Sequence, residues 1–333
     1  MDRPRILVTG GAGYIGSHVC RALAQAGFLP IALDDLSAGH AARVQWGPLV
    51  QADVTDATSV RAAMAAHQPL GVVHMAGKIS VPESMADPLP TYATNVLGTL
   101  TLLEAIRAQG VRGLVFSSTA AVYGTPEVTP IAERAPLRPI NPYGHSKRMA
   151  EQLLADAAPA LGVSSVALRY FNAAGATPEV GLGYDRAKPF HLLPMALLAT
   201  LGRVPPLQVF GTDYPTPDGT AVRDYVHVAD LADAHVLALQ QVLGVQGPAT
   251  HRALNLGTGH GASVRQVLDV CAAVTGQPVP HTLAARRAGD PAELVADPTA
   301  AKRVLSWAPR QSDLKTLVAS EWAWQQQLVE AAS

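Results

Sequence analysis

Ile6-Leu7-Val8-Thr9-Gly10-Gly11-Ala12-Gly13-Tyr14-Ile15-Gly16 decides the fold. A short apolar run leads into glycines at 10, 13 and 16, and a stretch of helical periodicity continues to Ala26. Glycine at 10 permits a tight turn out of a strand. Glycine at 13 lets bare backbone approach a pyrophosphate, and glycine at 16 lets the helix lie close on the strand. The helix so begun presents unpaired N–H groups and its positive dipole end to the phosphates. Tyr14 and Ile15 occupy its first turn and belong to the same cradle. Any tight strand-to-helix turn contains glycine, so the flanking sequence has to carry the reading.

The flanks do so. Asp34 ends the second apolar run, 18 residues after Gly16. A carboxylate there accepts hydrogen bonds from the adenosine ribose hydroxyls and repels a 2′-phosphate, which favours NAD over NADP. A metal pair with Asp35 is the rival reading, but no third ligand lies within sequence reach. Asp53, in Gln51-Ala52-Asp53-Val54, is the candidate for the adenine edge together with Val54.

Further apolar runs at Arg5–Thr9, Leu29–Leu33, Leu49–Ala52, Gly71–Met75 and Gly113–Ser117 alternate with helical stretches at 13–26, 58–67 and 91–109. Near-continuous apolar strands between helices predict a doubly wound parallel sheet of the Rossmann type, an α/β fold. A helix from Tyr143 to Ala158 and a strand from Ser165 to Tyr170 complete it. We place the dinucleotide-binding domain at 1–173, with 222–243 returning to it as a strand and a helix. Residues 174–333 form a smaller α/β substrate domain that includes the strand near Leu254-Asn255-Leu256. The Gly- and Pro-rich stretches 175–189 and 204–218 read as long functional loops.

Composition excludes other classes. The chain has 333 residues, with 25 Lys+Arg against 26 Asp+Glu, 48% hydrophobic and 15% charged residues. That excludes a disordered chain and a nucleic-acid binder that works through gross positive charge. Two cysteines, Cys20 and Cys271, make no disulfide framework, and no Cys/His spacing reads as a zinc site. The richest apolar run, Leu192–Leu201, holds Pro194 and stops at Gly202-Arg203, so no membrane span is expected. The apolar start at Ile6 breaks at once into glycines, unlike a signal peptide, and a cytoplasmic location is expected.

Asn141-Pro142-Tyr143-Gly144-His145-Ser146-Lys147 carries the chemistry. On a helix Tyr143 and Lys147 share a face. A free phenol ionises near pH 10. A neighbouring ammonium, with the positive nicotinamide ring, would bring the phenolate toward working range. Lys147 could also hold the nicotinamide ribose. The run Val115-Phe116-Ser117-Ser118-Thr119 ends in hydroxyls at the sheet edge where open α/β folds bind ligands. Thr119 would share the substrate proton with Tyr143.

These motifs resemble the extended short-chain dehydrogenase/reductase family, and within it the members that epimerise UDP-hexoses. The likeness runs nearly end to end, through Asn95-Val96-x-Gly98-Thr99, Tyr143-x-x-x-Lys147, Arg169-Tyr170-Phe171-Asn172, Val222-Arg223-Asp224-Tyr225, Asn255-Leu256-Gly257 and Arg286-Arg287-x-Gly289-Asp290. It implies interconversion of UDP-galactose and UDP-glucose at C4 through a 4-keto sugar, with tightly bound NAD taking and returning the hydride. It puts Ala76, Lys78, Asn95, Ser117 and Tyr170 beside the cofactor, although Lys78 falls one place earlier than a lysine of some relatives. It puts Asn172, Arg223 and Arg287 at the diphosphate, Asp290 at the uridine ribose, and His191 and Leu192 toward the sugar nucleotide. Phe210 and Tyr225 are left to the core. The resemblance also implies a homodimer packed through helices 91–109 and 143–158, with apolar outer faces.

A nucleotide-sugar dehydratase shares Tyr and Lys but needs an acid and a base just after the strand-end Thr. Here stand Ala120-Ala121, whose methyl groups transfer no proton. A UDP-glucuronate decarboxylase would share the scaffold and need a pocket for the C6 carboxylate. A non-catalytic NAD-binding regulator would keep the glycine turn but has no use for Thr119, Tyr143 and Lys147 together. Leu294 occupies a place where relatives carry either a large aromatic, excluding N-acetylhexosamines, or a small residue, admitting them. Leucine is intermediate, and a preference for UDP-galactose and UDP-glucose is expected.

Overall fold

The apolar runs of the first half become parallel strands because helices cover both their faces, which removes any need for polar alternation. The computed structural model describes residues 3–186, 189–287 and 289–331. In chain order come β1 (Arg5–Thr9), α1 (Tyr14–Gln25), β2 (Leu29–Asp34), β3 (Leu49–Gln51), α2 (Ala57–His67) and β4 (Gly71–His74). Next are α3 (Val81–Ala86), α4 (Leu89–Tyr92), α5 (Gly98–Gln109), β5 (Gly113–Thr119), α6 (Pro142–Leu161) and β6 (Ser164–Tyr170). Then follow β7 (Asn172–Ala174), α7 (Leu192–Thr200), β8 (Leu207–Phe210), β9 (Val222–His227), α8 (Val228–Leu243) and β10 (His251–Leu256). The chain closes with β11 (Gly261–Ser263), α9 (Val264–Thr275), β12 (His281–Ala284), β13 (Glu293–Leu294), α10 (Thr299–Leu305) and α11 (Leu314–Ala331).

One seven-stranded sheet has the order β10-β6-β5-β4-β1-β2-β3. β1 pairs in parallel with β2 on one side and β4 on the other, so strand order reverses there. The crevice beyond the C-terminal ends at that reversal is where such sheets receive a ligand. Side chains alternate across β1. Ile6 and Val8 pack with Leu231 and Leu239 of α8, whereas Leu7 packs with Met64 of α2 and Leu102 and Ile106 of α5. All of these are fully buried, and truncating any one of the leucines to alanine would cost about 2–5 kcal/mol.

Two placements differ from the sequence reading. The strand near Leu254–Leu256, assigned to the smaller unit, is β10, and it pairs in parallel with β6 from His251–Ser165 to Leu256–Tyr170. Conversely β9, expected to rejoin the large sheet, anchors the smaller sheet, pairing with β7, β11 and β13. Only α8 returns, against α1. β9 reads Val-Arg-Asp-Tyr-Val-His, and its fully buried Asp224 is satisfied where it stands by the N–H groups of Thr258, Gly259 and Ala296, contacts that only the assembled structure supplies. The helix predicted over 91–109 is also interrupted, by a π-helical turn at Ala93–Leu97. Among the described residues no helix is long and apolar enough to cross a membrane.

Candidate active site

Thr119 ends β5 at the C-terminal edge of the large sheet. α6 starts beside it because Asn141 caps the helix, its Oδ1 accepting from the Gly144 N–H at 2.8 Å, and Pro142 follows at the first position. A Cβ on Gly144 would lie 2.6 Å from the Ala121 carbonyl oxygen, so bare backbone lets the helix start press against the turn after β5. Tyr143, in that first turn, hydrogen-bonds the Thr119 hydroxyl. Burial raises its phenol above the ordinary value, and the Thr119 bond opposes the rise.

One turn on, Lys147 is 2% exposed. Its ammonium donates to the Ser117 carbonyl at 2.9 Å and lies 4.7 Å from the Phe116 ring centroid. Burial lowers its pKa to about 8, and Glu151 resists the fall. The expectation joined Lys147 to a positive nicotinamide ring; in the protein itself burial outweighs the Thr119 bond at the phenol. Desolvation of Tyr143 dominates.

The glycine turn has the predicted shape. Gly10 sits at φ +70°, and a Cβ on Gly16 would lie 2.0 Å from the Gly10 carbonyl oxygen. The N-cap of α1 is Gly13, which offers no side-chain acceptor to the first-turn N–H groups. Gly10, Gly13, Tyr14, Ile15 and Gly16 all line one cavity of about 1310 Å³. That exceeds the roughly 300–1,000 Å³ of an ordinary small-molecule site, which leaves room for two ligands. Asp34 lines it too, accepting from Ala12 N–H at 3.0 Å and Leu36 N–H at 2.9 Å. Burial raises its carboxyl above the ordinary range, against those two bonds. Asp53 and Val54 lie on the same wall, Asp53 accepting from the Thr55 N–H and hydroxyl at 2.8 Å each. A cradle that any Cβ would fill, an uncapped helix start and a carboxylate at the end of β2 together fit a dinucleotide.

Ala76, Lys78, Ser117 and Tyr170 also face the cavity, and the Ser117 and Tyr170 hydroxyls hydrogen-bond each other. Asn95 and Lys147 lie behind its wall instead. The π-helical turn points Asn95 inward, where its Oδ1 accepts from Lys78 N–H at 2.8 Å. Its Nδ2 donates to the Lys78 carbonyl at 3.0 Å and the Ser146 hydroxyl at 2.9 Å. Asn95 therefore ties the segment after β4 to α6.

From the smaller unit come Asn172, His191, Leu192, Arg223, Arg287 and Asp290, all on the cavity wall. Arg223 and Asp290, read from the sequence as separate contacts, form an ion pair with each other. The Arg287 guanidinium lies 3.8 Å from the Phe210 ring centroid. The His191 ring packs edge-on against Tyr184 at 5.2 Å, and burial lowers its pKa to about 4, so it is neutral near pH 7. Phe210 and Tyr225, left to the core in the sequence reading, both line the cavity, as do Tyr184 and Arg43. The Pro-punctuated stretch around Phe210 was the only signal that could have found it.

A sheet whose reversal point carries a glycine cradle, with a Thr/Tyr/Lys cluster at its edge, defines a nicotinamide-dinucleotide enzyme of the short-chain dehydrogenase/reductase kind. The model of the NAD dependent epimerase/dehydratase family matches residues 6–257, and the chain belongs to that family. It is 50% identical to UDP-glucose 4-epimerase of Azospirillum brasilense, over 98% of this chain and 94% of that protein. Among solved structures, UDP-glucose 4-epimerase from Brucella ovis in complex with NAD superposes with a TM-score of 0.92 at 44% identity, covering 96% of this chain and 98% of that one. UDP-glucose-4-epimerase from Stenotrophomonas maltophila, with bound NAD and formylated UDP-arabinopyranose, gives 0.94 at 41% identity, covering 99% and 100%.

Proposed function

We propose that the chain interconverts UDP-galactose and UDP-glucose at C4 of the hexose, using NAD that it keeps bound. The observation that carries this is the Thr119–Tyr143 hydroxyl pair. It shares one cavity with the glycine cradle of the large sheet and with Asn172, Arg223 and Arg287 of the smaller unit. When bound, NAD supplies an acceptor for the C4 hydride and returns it, so the reaction is redox-neutral overall. Tyr143, as the phenolate, takes the 4-hydroxyl proton on its oxygen and gives it back, and Thr119 hydrogen-bonds to both oxygens. Because burial disfavours the phenolate, the Lys147 cation, one turn along the same helix, is needed to offset that cost.

Asp34 receives the adenosine ribose hydroxyls and disfavours NADP. Arg223 and Arg287 present guanidinium groups to the diphosphate, with Asn172 beside them, and Asp290 orients Arg223 while reaching the uridine ribose. Ala120 and Ala121 flank Thr119 on the wall without an acid or base, which favours epimerisation over loss of water. Purified protein given UDP-galactose and no added nicotinamide should form UDP-glucose. A keto-deoxy sugar or carbon dioxide in its place would overturn the assignment.

The same reading includes a homodimer. Met85 of α3, Leu89 of α4, Leu97, Leu100 of α5 and Met149 of α6 are all exposed, Leu89 at 75%, and α3, α4 and α5 each pack on α6. Exposed apolar side chains gathered on neighbouring helices are usually covered by a partner. Light scattering should give twice the chain mass, and a monomer at micromolar concentration would remove the dimer. Cys20 and Cys271 are buried and unpaired, which suits a reducing compartment, the cytoplasm.

A further inference from the structure

The segment that follows β7 crosses back to the large sheet and meets it along the wall of the glycine cradle. The Tyr14 hydroxyl, in the first turn of α1, donates to the Gly175 carbonyl. The Tyr14 ring meets Tyr184 edge-on at 5.6 Å. Gln45 donates to the Val180 carbonyl at 3.2 Å. Arg43 forms an ion pair with Asp185, 142 residues away, and His40 Nε2 lies 3.5 Å from the same carboxylate. From the other side α11 pins the segment, Trp324 Nε1 and Gln325 Nε2 donating to the Tyr184 carbonyl at 2.9 and 3.0 Å.

Arg43 is the centre of this arrangement. It is 5% exposed, and such a guanidinium is costly to bury unless it is paired. Burial lowers its pKa to about 10, opposed by Tyr14 and by Asp34, the carboxylate placed above at the adenosine ribose. Arg43, Asp34 and Asp185 all line the cavity. Every partner in the contact belongs to the protein, so the closure does not depend on a sugar nucleotide being present.

We propose that Arg43 and Asp185 form a latch across the adenosine half of the cofactor site, and that bound NAD leaves only when this pair opens. The inference rests on the proposed function. An enzyme that must return its hydride to the same sugar loses the reaction if the cofactor departs midway, and the latch prevents that departure between and within turnovers. Arg43 and Asp185 act as positioning residues toward the cofactor and do not touch the reacting atoms.

The test is the rate at which protein-bound NAD exchanges with isotopically labelled NAD, measured on the parent chain, Arg43→Met, Arg43→Lys and Asp185→Asn. Exchange should quicken at least about tenfold in Arg43→Met and Asp185→Asn, with Arg43→Lys falling between them and the parent. Activity of the two fast variants should decay on dilution and return on adding NAD. Should Arg43→Met fail to fold, Asp185→Asn decides alone, because Asp185 lies in a partly exposed segment. A folded Asp185→Asn that exchanges NAD at the parent rate overturns the latch. A parent chain that carries no NAD and epimerises nothing would instead remove the proposed function.

Discussion

Glu151 of α6 and Arg169 of β6 form a buried, two-pronged ion pair one turn along the helix from Lys147. Arg169 Nε reaches the two Glu151 oxygens at 2.9 and 3.2 Å, and its Nη2 reaches Oε2 at 2.5 Å. Glu151 stands one turn beyond Lys147 on α6 and also accepts from the Ser118 hydroxyl. Arg169 Nη1 donates to the Tyr123 hydroxyl at 3.0 Å, which donates to Asn255 Oδ1 at 2.7 Å. The network joins β5, α6, β6 and β10 just below the site.

Removing one member of such a pair leaves a buried charge without its partner, at a cost of about 3–5 kcal/mol. Glu151→Ala should lose that much stability in a denaturant titration. It should also lower the Lys147 pKa further, because Glu151 is the group that resists its fall. A loss under about 1 kcal/mol, the scale of an exposed pair, would show that the network contributes little.

Tyr143→Phe should reduce UDP-galactose turnover by at least about a thousandfold, the upper range for a lost proton-transfer group. Thr119→Ala should cost about a hundredfold, and Thr119→Ser should keep most of the rate because the hydroxyl survives. The NAD content of each purified variant, measured alongside, separates lost chemistry from lost binding. A Tyr143→Phe enzyme of parental speed contradicts the mechanism.

Stability should fall in acid from a specific set of histidines. Burial lowers His18 and His74 to about 3 and His191 and His235 to about 4, against an ordinary 6.5. Below pH 6.5 the unfolded chain takes up protons that the folded chain refuses, so stability drops by up to about 1.4 kcal/mol per pH unit for each group. Glu321 runs the other way. Burial raises it from 4.5 to about 8, and its Oε2 has no hydrogen-bond partner. The folded chain keeps a proton that the unfolded chain has released, so this contribution is lost as pH rises from about 4.5 toward 8. Glu321→Gln should therefore raise Tm at about pH 8, with the gain fading toward about pH 4.5. A gain independent of pH would refute the ionisation account.

Leu294 lines the cavity, opposite Arg223 in the β13–β9 register, and packs with the cluster that holds Ala120 and Tyr123. The proposed function puts the sugar's second substituent against this side chain, where an N-acetyl group would have to fit. The chain should prefer UDP-galactose over UDP-N-acetylgalactosamine in kcat/KM, and Leu294→Gly should narrow the difference about tenfold or more. Equal efficiencies in the parent would end that explanation.

The sequence by itself determined whatever depends on neighbours within a few residues. The strand, turn and helix of residues 6–25 follow from apolar runs and glycine spacing, and the shared face of Tyr143 and Lys147 follows from the pitch of one helix. Tertiary structure decided the rest. Whether β9 or β10 joins the large sheet depends on which edge each loop reaches, and no local pattern records that. Arg43 meets Asp185, and Glu151 meets Arg169, only because distant elements pack together. Phe210 lines the cavity because β8 packs beside it, next to residues far away in the sequence. The Tyr143 phenol is raised because packing strips it of water, and desolvation belongs to the assembled interior, not to any stretch of chain.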